Sequence, residues 1–221
     1  MLAGLTPSEM RRSEVLQRLK VGVWDVQHEY PELESLVERW NDAQKVYEFV
    51  VVDSSVPIGG WQVYGKGDEK VTCLRADKLR LKLQPTVRQL GVALLICISA
   101  YPLANEDTLN LYADWGEGSI VVLSTWGLEV DAEKRPVLLT NLVTGGVIAQ
   151  RADMGTSSEL PRNSPFYYNE ERDVNLLTGT PKIDAQSKKE IQKALTATAA
   201  AEISAVEKLF SLFRKPVKSR T

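Results

Sequence analysis

Histidine is nearly missing from this sequence: His28 is the single imidazole in 221 residues, and Cys73 and Cys97 are the two thiols. That scarcity excludes the common hydrolytic machinery, because a catalytic zinc takes three protein ligands at fixed spacing and a zinc cage takes four. A serine nucleophile is equally poorly served, since no Gly-x-Ser-x-Gly elbow occurs. Glycine loops of the form Gly-x-Gly-x-x-Gly or Gly-x(4)-Gly-Lys-Ser/Thr are absent as well, so no phosphate cradle is encoded locally. Two distant cysteines make no disulfide scaffold, and Cys97 lies within the apolar run 93–98, so both read as core thiols. No stretch approaches the roughly 18 apolar residues of a membrane span. The N-terminus carries no signal-like apolar run; Thr6-Pro7-Ser8-Glu9 has instead the form of a helix-opening capping box. A cytoplasmic protein is expected. The net charge of −2 provides no general attraction to phosphate backbones, so nucleic acid is not an expected partner.

What is present is an ordinary globular composition, 43% hydrophobic and 25% charged, with alternating strand and helix patterns. Residues 21–26 have strand composition, and Pro31 to Lys45 places Leu33, Leu36, Val37 and Trp40 at helical spacing. Val46 to Val52 predicts a second strand, and Trp61 to Tyr64 a further extended piece after the break at Pro57 and Gly59-Gly60. Leu79 to Leu90 predicts a weaker helix interrupted by Pro85. Val92 to Ser99 lacks polar alternation, the mark of a central strand covered on both faces. Leu109 to Trp115 and Ser119 to Trp126 flank Gly116-Glu117-Gly118, a hairpin signal that adds an antiparallel pair. Pro136 opens a largely buried helix to about Ala152, in which Gly145 and Gly146 cost about 1 kcal/mol each and must mark close packing or a kink. Residues 153–182 are turn-rich and irregular. From Asp184 a helix of roughly thirty residues runs to Pro216.

This order of elements, ending in a hairpin, a buried helix and an irregular segment, resembles the metzincin metallopeptidases, and among them the archaemetzincins. Those proteins carry His-Glu-x-x-His-x-x-Gly-x(3)-Cys-x(4)-Cys-x-Met-x(17)-Cys-x-x-Cys, in which two helical histidines and a third beyond the glycine bind the catalytic zinc and four cysteines hold a second. Anchored on Gly155, the pattern places the helical ligands at Ile148 and Ala152, the base at Ala149 and the third histidine at Ser158. The cysteine positions fall on Glu159, Ser164, Asp184 and Ser187, and the methionine on Phe166. Residues 119–125 resemble the strand preceding the family's active-site helix. The resemblance implies an α/β fold, a mixed sheet covered by helices over 1–183, with both metal sites erased. No metal and no cofactor are expected, and Ile148, Ala149, Ala152 and Gly155 become the floor of a candidate binding cleft.

The remaining residues offer less. His28 sits among Asp25, Glu29 and Tyr30, where it reads as a surface histidine at a strand-to-helix turn. Glu170-Glu171 with Asp173 reads as a solvated acidic loop, and Leu177 to Lys182 as a plain turn. In the C-terminal unit 184–221, Ile191, Leu195, Ala199, Ile203, Val206, Phe210 and Phe213 fall within about 120° of arc, ahead of the basic tail 214–220. This stripe packs on its own domain, carries a protein partner or a second copy, or, with Phe210, Phe213 and the basic tail, lies on a membrane surface. The expected function is that of a catalytically inactive, metzincin-like binding or regulatory subunit of a bacterial cytosolic complex. The alternative is a hydrolase or nucleotide-processing enzyme whose acids and Lys/Arg residues assemble only in the fold.

Overall fold

The computed structural model describes residues 18–53, 60–64, 70–106, 108–115, 118–169 and 171–214. The capping box at Thr6 to Glu9, Gly116-Glu117, Glu170 and the tail beyond Arg214 lie outside the described residues. In chain order the elements are β1 (Leu19–Asp25), α1 (Leu33–Ala43), β2 (Tyr47–Val51), β3 (Trp61–Tyr64), β4 (Val71–Arg75) and α2 (Ala76–Leu90). They continue with β5 (Leu94–Ser99), β6 (Leu103–Ala104), β7 (Leu109–Leu111), β8 (Ala113–Trp115) and β9 (Ile120–Ser124). The last part is helical: α3 (Arg135–Ala152), the single turn α4 (Val174–Leu177), α5 (Ala185–Leu195) and α6 (Ala199–Ser211).

A five-stranded sheet of order β2-β1-β5-β9-β8 forms the centre. Its first four strands are parallel and β8 runs antiparallel to β9, with Asp114 opposite Val122. The period of two along each strand divides the core into two layers. Val21, Val23, Leu94, Ile96, Ile98, Val121 and Leu123 face α1, α3, α5 and α6, whereas Leu95, Cys97, Ile120 and Val122 face α2. Every residue of β5 is buried, which is why that strand shows no polar alternation in sequence. Both cysteines are buried and free, and burial pushes the Cys97 thiol far above its ordinary pKa.

The mixed, helix-covered sheet is the expected architecture, with three differences in detail. A second sheet, β3-β4-β6-β7, accompanies the first, because Leu109–Leu111 leaves the anticipated hairpin strand to pair with β6. Helix α2 runs uninterrupted through Pro85. The carbonyl that Pro85 deprives of a donor belongs to Leu81, which is 68% exposed, so water can satisfy it. The long C-terminal helix is two helices. The chain turns at Thr196, whose φ of 40° and ψ of −94° cannot continue an α-helix, and restarts at Ala199. Among the described residues no helix is long and apolar enough to cross a membrane.

The C-terminal helices share the core of the main domain. Ile191, Ile203, Val206 and Phe210 are buried, Leu195 and Phe213 pack half-buried against the same cluster, and Arg39 lies over the Phe213 ring at 4.1 Å. The apolar stripe offered as a partner surface is therefore covered by the chain's own α1 and α3. Glu202 completes the docking, accepting bonds from Tyr47 Oη (2.9 Å), Arg151 Nη2 (2.8 Å) and Thr198 Oγ1 (2.8 Å).

Candidate functional site

Helix α3 lies under the antiparallel edge of the sheet, with Pro136 in its first turn and an apolar sequence fit for burial on several faces. Its two glycines have different surroundings. A Cβ on Gly146 would sit 3.1 Å from Val121 Cγ1, so this glycine lets the helix approach β9 closely. A Cβ on Gly145 would meet nothing within 4 Å.

Gly145 looks into a cavity of about 290 Å³. Asn141, Leu142, Gly145 and Ala149, at helical spacings of three and four, form its floor. Tyr112, Ala113 and Trp115 at the edge strand form one wall, and the turn-rich segment, including Asn163, Tyr167, Leu177 and Pro181, closes the other side. The roof is tied to the floor by Asn141 Nδ2, which donates to the carbonyls of Leu177 (2.7 Å) and Gly179 (2.9 Å). Trp115 Nε1 donates to the Met154 carbonyl at 2.9 Å. Burial raises the pKa of Tyr112, and its hydroxyl sits 3.4 Å from the Tyr167 carbonyl. Arg162 stands at the rim, 65% exposed, with its guanidinium 3.6 Å from Asp173 and 5.9 Å from the Tyr167 ring centre.

The chain matches no protein-family model and no curated protein. Solved structures do match. An archaemetzincin from Methanopyrus kandleri superposes at a TM-score of 0.55 over 81% of this chain and 96% of its own, at 14% identity. A zinc-dependent peptidase from Methanocorpusculum labreanum gives 0.54 over 77% and 98%, at 10% identity. The archaemetzincin from Archaeoglobus fulgidus, in complex with malonate, gives 0.53 over 77% and 99%, at 12% identity. The fold is archaemetzincin-like.

The residues of this archaemetzincin-like chain do not fit the zinc that such a fold implies. The positions that the resemblance anchored on Gly155 matches to ligands, Ile148 and Ala152, and to the base, Ala149, carry hydrocarbon side chains, with no nitrogen, oxygen or sulfur to donate. Among the described residues no group of three or more His, Cys, Asp or Glu side chains could hold a metal ion. Three of the four positions matched to structural cysteines nevertheless meet. Asp184 caps α5, accepting from the Ser187 amide at 2.9 Å, and its other oxygen accepts from Ser187 Oγ (2.6 Å) and Ser164 Oγ (2.9 Å). Burial works against ionisation here, but the serine hydrogen bonds outweigh it and hold the Asp184 carboxyl below its ordinary pKa. Glu159 is exposed, outside this cluster.

The candidate cleft residues separate in space. Ala149 lines the cavity, Ile148 turns into the core at 0% exposure, and Ala152 and Gly155 line a shallow surface depression beside Glu190 and Lys193. His28 is exposed in the turn after β1, remote in sequence from every residue of the cavity. Asn141, Gly145, Tyr112, Trp115 and Arg162 are the residues that sequence reasoning missed. The available signals were Asn141, a poor helix former in the middle of a buried helix, and Gly145 one turn later, whose cost was read as close packing or a kink and not as the floor of a cavity.

Proposed function

We propose that this chain is a catalytically inactive, archaemetzincin-like binding subunit that holds a peptide segment of a partner protein in the cleft between β8, α3 and the turn-rich segment. The observation that carries the reading is the pairing of an open cavity with a floor that has no imidazole, thiolate or carboxylate for zinc: Leu142, Gly145, Ala149 and Asn141. Asn141 has already committed both amide hydrogens to the roof. β8 adds a reason to expect a peptide, since it is the sheet's edge, paired on one side with β9, and extended segments bind such edges by main-chain hydrogen bonds. The cleft, rather than the buried C-terminal stripe, carries the contact. Two unpaired core thiols suit a reducing, cytoplasmic setting.

The test combines metal content with binding. After dialysis against zinc, the purified chain should retain no stoichiometric metal and should cleave no peptide from a mixed library. The same library should contain members that shift the amide resonances of Ala149 and Trp115. Stoichiometric zinc, or zinc-dependent cleavage lost on chelation, would sink the reading.

A further inference from the structure

The cavity's own chemistry narrows what it takes. Gly145 sits mid-helix, where glycine costs about 1 kcal/mol relative to alanine, and no neighbour accounts for it: the space its side chain would enter is empty for 4 Å. Gly146, by contrast, is explained by Val121. With Leu142 and Ala149 beside it, Gly145 leaves an apolar recess of about one side chain's depth against the helix backbone. Charge is distributed as unevenly as space. Among the described residues no Asp or Glu lines the cavity, although the chain as a whole is net negative, and the one charged side chain in that lining is Arg162. The nearest oxygen of Asp173, Oδ2, lies 3.6 Å from the Arg162 guanidinium, beyond hydrogen-bond length. A forked guanidinium in this state favours a carboxylate that can meet it at closer range.

We infer that the cavity binds an apolar-bodied carboxylate, its hydrocarbon lying on Gly145 and its acid group on Arg162. The inference rests on the binding reading above and specifies its ligand class. The acid is supplied either by the C-terminal residue of a peptide or by a free organic acid. Gly145 sets the depth of the recess and Arg162 the sign of the charge.

The experiment follows the Trp115 indole resonance of the full chain during titration with three probes: N-acetyl-phenylalanine, its C-terminal amide and phenylacetate. The acetylated acid should bind about tenfold more tightly than the amide, the scale of one charge-assisted hydrogen-bond pair. Arg162→Gln should remove that preference and leave the affinity for the amide unchanged. Phenylacetate equal to the acetylated acid assigns free acids; phenylacetate weaker assigns chain ends. Gly145→Leu should abolish all binding, and Gly145→Ala, whose methyl clashes with nothing, should weaken it in a chain that still melts cooperatively. Equal binding of acid and amide, or a preference that survives Arg162→Gln, overturns the ligand class while leaving the binding reading intact. If no probe moves Trp115 at millimolar concentration, or if Gly145→Leu binds like the parent, both fall.

Discussion

Glu202 decides whether the C-terminal helices belong to the domain or to a partner. Its carboxylate is 3% exposed, on α6, and accepts from Tyr47 on β2 and from both Nε (3.2 Å) and Nη2 (2.8 Å) of Arg151 on α3. Replacing Glu202 with alanine strands the Tyr47 hydroxyl, which is fully buried. A stranded buried donor costs about 1–3 kcal/mol. Arg151 is 32% exposed and can rehydrate. The total should therefore fall at the lower end of the range for breaking a buried ion pair, about 3 kcal/mol. Glu202→Gln keeps the volume but turns one donor towards another, and should cost about 2 kcal/mol. The pH dependence follows. Burial pushes the Glu202 pKa up, but the bonds from Arg151, Thr198 and Tyr47 together outweigh it, so the folded value lies below the ordinary one. A depressed folded pKa contributes stability that is complete above the unfolded value of about 4.3 and disappears as pH falls through the folded value. Urea titration followed by tryptophan fluorescence at neutral pH and again below pH about 4 would show the gap between parent and Glu202→Gln closing in acid. A gap under about 0.5 kcal/mol at neutral pH, or one indifferent to acid, would refute the argument.

Other outcomes follow from the same contacts. Phe210→Ala should destabilise the chain by about 3–5 kcal/mol without changing its oligomeric mass, since Phe210 is 5% exposed within the domain's own core; a change of mass with unaltered stability would return this helix to a partner. Adjacent glycines should respond oppositely. Gly145→Ala should stabilise by about 0.4–1 kcal/mol, whereas Gly146→Ala, 3.1 Å from Val121, should cost about 1–3 kcal/mol, read as a pair of thermal melts. EDTA should leave the melting temperature unchanged, and Asp184→Ala should lower stability by about 1–2 kcal/mol, because hydrogen bonds from Ser164 and Ser187 hold this corner; a chelator-sensitive melt would reveal a site the residues do not show.

Much of the fold was legible in the residues themselves. The unbroken run at β5, the helical spacing in α1 and the proline opening α3 are short-range patterns whose meaning does not depend on distant neighbours. The lack of imidazole and thiol ligands is likewise fixed by composition, wherever the chain places them. Other features required the tertiary structure. Nothing local in Thr196-Ala197-Thr198 announces a break, because no glycine or proline marks it; the turn lets α5 and α6 both pack on α3, with Glu202 set beside Arg151. Gly145 and Gly146 are equivalent in sequence, and only the position of β9 makes one a packing contact and the other a cavity floor. Ser164, Asp184 and Ser187 are ordinary polar residues until the loop returns to the start of α5 and joins them. The cavity is the clearest case: its two walls come from residues 112–115 and 163–181, and its apolar, amide and guanidinium groups meet only once the sheet edge and the loop face each other.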